Sequence, residues 1–186
     1  MKPNTRPSAI PKKLMAFVSI IGIAPLIAGF YGILHDQLTY SISPEYYTKF
    51  KFHQFGLTAS TSEAIFEHPR LAVSLVGFMA TWWVGIFIGL ILAFVALAHK
   101  NNKEMLRITL RAMFIAIITA FFIGLTGLIY GKFHLSNSGV SWRLPPSLID
   151  KANFIAVGSM HNFSYVGGII GLLAGVIYSL RQKTNH

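Results

Sequence analysis

Four long apolar runs, separated by polar segments, set the pattern of this chain. They span about 14–34, 71–98, 105–130 and 152–180. At about 1.5 Å per residue, each run is long enough to cross the roughly 30 Å hydrocarbon core of a bilayer as a helix. The pattern predicts an all-α integral membrane protein, a four-transmembrane-helix bundle whose main partner is the lipid bilayer.

The remaining residues are predicted to form one tail and short connections. Residues 1–13 form a basic, proline-rich tail, and residues 14–183 form a single four-span transmembrane domain. Polar segments cover residues 35–70 and 132–151. Within the first of them, Ser43-Pro44-Glu45 is a helix-start signature, with a capping serine, a proline at the first position and an acid in the first turn. It predicts a short amphipathic helix in this segment, from about residue 44 to 55.

The basic residues predict the orientation of the bundle. The tail, the 99–111 connection and the C-terminus carry four, four and two Lys or Arg, whereas the two longer polar segments carry three each. Because cytoplasmic loops are enriched in these residues, the N- and C-termini should be cytoplasmic and both polar segments should face outward. No organelle targeting signal is evident, so we expect a multi-pass protein of the bacterial inner (plasma) membrane.

Composition narrows the function further. The chain is 53% hydrophobic and 12% charged, with a net charge of +10 and no cysteine. Thiolate metal sites, iron–sulfur clusters and disulfides are therefore excluded. The positive charge lies at the ends of apolar runs, where membrane topology explains it, and we expect no nucleic-acid partner.

Small residues recur at helical spacing in two of the spans. Gly77, Thr81, Gly85 and Gly89 share one face of the second span, and Gly167, Gly171 and Gly175 share one face of the fourth. Such faces let helices approach closely in a membrane. They are compatible with a homo-oligomer or with a partner membrane subunit.

Candidate chemistry is concentrated on the predicted outer side. Five of the six carboxylates and four of the seven histidines fall there. Imidazole and carboxylate groups without thiolate are ligands of zinc, iron, manganese or copper(II). The candidate ligands of a transition metal are His35, Asp36, Glu45, Glu63, Glu67, His68 and His161. No HxxxH, ExxH or HExxH spacing is present, so an outer polar network without a metal is the competing interpretation.

His161 is the most informative of these candidates, because it lies inside the fourth apolar run. Ionisable groups within the membrane are costly and usually face the bundle interior or a cavity. His161 can join ligands of the first polar segment only if that segment dips into the mouth of the bundle. A hydrogen-bonded structural histidine is the alternative.

Two function classes remain open from the sequence. In the first, an outward-facing site of histidines and carboxylates binds a metal for hydrolytic or redox chemistry near the membrane surface. In the second, the protein is a non-catalytic subunit, or an oligomeric packing or channel-like module, of a larger membrane assembly. The sequence does not decide whether the protein is an enzyme.

Overall fold

Four long helices carry the apolar runs in the computed structural model, which describes residues 9–58 and 63–184. We number them α1 (Ala9–Ile42), α2 (Pro69–Ala96), α3 (Asn102–Tyr130) and α4 (Lys151–Thr184). Helical turns at Gly131–Leu135 and Ser136–Ser138 extend α3 without a break. The predicted basic tail lies mostly outside the described residues.

The length and hydropathy of these helices confirm an all-helical protein with four potential membrane spans. The membrane-compatible stretches are 31, 28, 37 and 32 residues long, against about 20 needed to cross a bilayer. Many of their large apolar side chains are exposed, among them Leu26, Phe87, Phe114 and Ile169. An aqueous surface would not tolerate so much apolar area, so these faces are suited to contact with lipid.

Glycines bring the helices together as two tight pairs, α1 with α2 and α3 with α4. A Cβ atom on Gly85 would lie 2.6 Å from the backbone oxygen of Ala24 in α1. A Cβ atom on Gly171 would lie 2.6 Å from the backbone oxygen of Ala116 in α3. Both glycine faces seen in the sequence are therefore used for packing within the chain.

A further helical stretch follows α1 and folds back onto the bundle. It consists of the turns Pro44–Tyr46, Tyr47–Lys51 and Phe52–Gln54, which we call the cap segment. Ser43 is extended, with φ of −140°, and separates the cap segment from α1. The middle turn has π-helical hydrogen bonding, and Tyr47, Lys51 and Phe52 are all buried. The cap segment thus covers one end of the bundle and turns a lysine inward.

Candidate metal centre

His35 and Asp36 lie on α1, because this helix continues beyond the apolar run that ends at Leu34. Both side chains face the bundle, with only 5% and 2% of their surface exposed. His161 faces them from α4 and is also buried. Two helices from different pairs therefore bring three ionisable groups together inside the protein.

Asp36 is the centre of this group. Its Oδ2 accepts a hydrogen bond from Nζ of Lys51 at 2.6 Å, and its Oδ1 lies 3.1 Å from Nε2 of His161. Lys51 Nζ also lies 2.8 Å from His161 Nε2. The cap segment thus supplies a buried cation that contacts both partners. A buried carboxylate needs such a partner, because an unpaired charge in a low-dielectric interior is very costly.

A hydrogen bond from Nδ1 fixes the orientation of the His161 imidazole. Its Nδ1–H donates to the backbone oxygen of Val157, one turn earlier, at 2.9 Å. In the neutral ring the lone pair then lies on Nε2, which faces Asp36 and Lys51. A backbone carbonyl that holds Nδ1–H while Nε2 binds a metal is a common arrangement around metal-ligating histidines. His161 therefore presents its coordinating atom to the centre of the group.

His35 completes the set on the other side of Asp36. Its Nδ1 lies 3.4 Å from Asp36 Oδ1, and its Nε2 is within hydrogen-bonding distance of the Ser164 hydroxyl at 3.1 Å. The rings of His35 and His161 meet edge to face, 4.8 Å apart. One ligand atom from each of His35, Asp36 and His161 can be chosen so that all three lie within 4.8 Å of one another. These three residues could hold a metal ion.

Two of the three distances between ligand atoms in this group suit a small metal. Ligand atoms about 2.1 Å from a tetrahedral metal lie about 3.4 Å from one another. The two contacts of Asp36 Oδ1, at 3.1 Å with His161 and 3.4 Å with His35, are close to that spacing. Two imidazoles and one carboxylate are also the protein ligands of many catalytic zinc and non-haem iron sites.

Lys51 is the feature that competes with a metal. Its amine contacts Asp36 and His161, two of the three possible ligands. Burial lowers the pKa of Lys51 below its ordinary value, and the nearby Asp36 carboxylate opposes that shift. A metal shared by Asp36 and His161 must therefore displace a lysine amine whose proton is held less tightly than in water.

The other predicted ligands lie away from this group. Glu45 accepts hydrogen bonds from the backbone N–H groups of Ile149 and Asp150 and from Lys49. Partial burial favours a raised pKa for Glu45, but these hydrogen bonds outweigh it and the pKa is lowered. Glu63 is exposed and accepts a hydrogen bond from Thr48 at 2.6 Å.

Glu67 and His68 precede α2 and are exposed. They line a shallow surface hollow with Tyr40 and Arg70. Among the described residues, neither joins Asp36 or His161 in a potential metal group. Of the seven candidate ligands, the fold brings three together and leaves four apart.

Sequence reasoning missed Lys51, which makes the shortest contact of the site, 2.6 Å from Nζ to Asp36 Oδ2. The local signal was its position between two phenylalanines, Phe50 and Phe52, in an aromatic-rich stretch. A lysine in such surroundings is more often a snorkelling interfacial residue. Here the π turn over Tyr47–Lys51 directs it inward, where it also lies over the Tyr47 ring at 5.4 Å.

No family model matches this sequence, and neither the curated proteins nor the solved structures include one similar to it.

Proposed function

We propose that this protein binds a divalent transition metal through His35, Asp36 and His161 and uses it for hydrolytic or redox chemistry near the membrane surface. The observation that carries the proposal is the convergence of two imidazoles and one carboxylate, all buried, from two different helix pairs. Zinc, iron, manganese and copper are the metals compatible with these ligands.

Three protein ligands leave at least one coordination position for water or substrate. A bound metal lowers the pKa of such a water toward neutrality or polarises a substrate oxygen, and iron, manganese or copper could also cycle electrons. Ser164 would orient His35 through their hydrogen bond, and Val157 would orient His161. Lys51 would leave the centre when the metal enters and take its place again when the metal leaves.

Metal binding should be tested on the full chain in detergent, purified without chelator, by elemental mass spectrometry and metal titration. We expect His161→Ala and Asp36→Asn to lose the metal. Lys51→Met should instead bind it at least about tenfold more tightly, because a competing cation has been removed from two ligands. Lys49→Met is the matched control and should leave affinity unchanged, since Lys49 pairs with Glu45 outside the centre.

Failure of every tested metal to bind, with Lys51→Met included, would contradict the proposal. That result would favour the second candidate, in which the Asp36–Lys51 ion pair is complete without a metal. The protein would then be a non-catalytic subunit, or an oligomeric or channel-like module, of a larger membrane assembly. Its ionic centre would serve to hold α1, α4 and the cap segment in one arrangement.

We further propose that both termini are cytoplasmic, in a bacterial inner membrane, and that the metal centre lies toward the outer surface. The distribution of Lys and Arg supports this orientation. The chain has no cysteine, so single-cysteine variants can report topology directly. We expect Ser138→Cys to react with a membrane-impermeant maleimide on intact spheroplasts. Lys103→Cys should react only after lysis, and the reverse pattern would overturn the orientation.

A further inference from the structure

An apolar cavity of about 390 Å³ lies next to the metal centre. All four long helices contribute to its walls, which are mostly apolar side chains. It lies between the two glycine-packed pairs, since residues of both pairs line it. A cavity of 150 Å³ in a protein core accommodates benzene. This one therefore has room for a substituted ring and the beginning of an apolar tail.

One end of the cavity is polar. Tyr31, His35, Asp36 and Lys51 line it there. The hydroxyl of Tyr31 is buried near Ser164, but among the described residues it has no hydrogen-bond partner of good geometry. Because a buried hydroxyl without a partner is costly, this group is suited to donate to a ligand. The charges of Asp36 and Lys51 compensate each other, so the polar end favours a neutral head over an ionic one.

The most exposed side chains that line the cavity belong to α2 and α4. Trp83 and Phe87 of α2 line it and are 47% and 60% exposed. Tyr165 and Ile169 of α4 line it from the other side and are 46% and 64% exposed. These side chains belong to the lipid-facing stretches of two potential membrane spans. A ligand that enters the cavity from the hydrocarbon phase would therefore pass between α2 and α4.

We propose that this cavity binds a membrane quinone, meaning a neutral ring with carbonyl oxygens on an apolar tail. A ring carbonyl accepts a hydrogen bond from the Tyr31 hydroxyl, the ring fills the cavity, and the tail leaves between α2 and α4. The compensated charges of Asp36 and Lys51 favour a neutral head that accepts hydrogen bonds. The limited volume of the cavity favours a single tail. The exposed lining residues of α2 and α4 favour a ligand that comes from the membrane. Quinone binding in this cavity does not require a metal at His35, Asp36 and His161.

Gly168 provides a sharp test, because it lines the cavity and a Cβ atom there would meet nothing within 4 Å. Gly168→Leu should fill the cavity without disturbing helix packing. Gly22→Leu is the matched control. A Cβ atom at Gly22 likewise meets nothing within 4 Å, and Gly22 is not among the residues that line the cavity. Both substitutions replace a helical glycine by the same residue, so they differ mainly in where the side chain points.

Binding of decylbenzoquinone to the full chain in detergent can be followed by saturable quenching of tryptophan fluorescence, since Trp83 lines the cavity. We expect Gly168→Leu to weaken binding at least about tenfold, as a filled cavity cannot accept the ring. Gly22→Leu should bind as the wild type does. Tyr31→Phe should bind about threefold to tenfold more weakly, through loss of one hydrogen bond.

Two further probes separate the quinone from other occupants. Decylbenzene has the ring and tail without carbonyl oxygens, and decanoate has the tail with an anionic head. Both should bind much more weakly than the quinone. Quenching that never saturates, or equal affinities of Gly168→Leu and Gly22→Leu, would overturn the proposal. So would a decylbenzene or decanoate affinity that matches or exceeds that of the quinone.

Discussion

Asp36→Asn should destabilise the protein by about 3–5 kcal/mol, because Asp36 is the only carboxylate among the described residues that pairs with Lys51, and its loss leaves a buried cation without a counter-charge. Equilibrium unfolding in mixed detergent micelles measures this free energy. Glu63→Gln makes the same carboxylate-to-amide change at an exposed position and should cost less than about 1 kcal/mol.

A second substitution tests whether the charge itself is responsible. Asp36→Asn combined with Lys51→Met removes both charges, so it should recover most of the stability lost by Asp36→Asn alone. The cost of Asp36→Asn should also shrink as the pH rises toward about 10, the ordinary pKa of lysine. The folded state then holds Lys51 neutral while the unfolded chain still binds the proton, so stability increases with pH. A double variant as unstable as the single one would contradict this account.

Gly171→Ala should destabilise the α3–α4 pair by about 1–3 kcal/mol, which is typical of overpacking. The added Cβ atom would lie 2.6 Å from the backbone oxygen and 2.7 Å from the Cα of Ala116. Backbone atoms cannot rotate away as a side chain can, so the two helices must separate. The same unfolding measurement reports the loss.

Gly168→Ala, one turn away on the same helix, is the matched control. Its Cβ atom meets nothing within 4 Å, and alanine is favoured over glycine in a helix by about 1 kcal/mol. It should therefore be neutral or stabilising. If Gly171→Ala were also stabilising, helix propensity would outweigh close packing. That result would contradict the close approach of α3 and α4 at Gly171.

The candidate metal centre and the cavity share polar residues, and this links the two proposals physically. Asp36, Lys51 and His161 line the cavity as well as forming the ionic group. Displacement of Lys51 would change the charge at the cavity end, so a bound metal should alter the affinity for a neutral head. A head whose carbonyl lies near the metal would be placed for redox or Lewis-acid chemistry.

The sequence by itself determined the helical content and the number of potential membrane spans. Hydropathy is a local property, summed over about 20 neighbouring residues, so four apolar runs suffice to predict four long helices. The glycine faces on the second and fourth spans were equally readable, because helical spacing puts such residues on one side. The orientation in the membrane stays a prediction from the charged residues.

The tertiary structure decided which helices those glycine faces would meet. From spacing alone, a close-packing face is equally suited to another copy of the chain, to a partner subunit or to a neighbouring helix. The fold uses Gly85 against α1 and Gly171 against α3, within one chain. The spacing of glycines along a helix shows that one face packs closely against another helix. Which helix that is depends on the connecting loops and on the faces of all the other helices.

The tertiary structure also decided the composition of the site. Asp36 and His161 are 125 residues apart, and Lys51 and His161 are 110 apart, and no periodic pattern joins such distant positions. Two facts brought them together. Helix α1 continues to Ile42, which carries His35 and Asp36 into the bundle, and the π turn at Tyr47–Lys51 rotates a lysine inward. These ionisable residues are stable in the interior because they lie together, since a charge inside a low-dielectric bundle is stable only where its partner is also present.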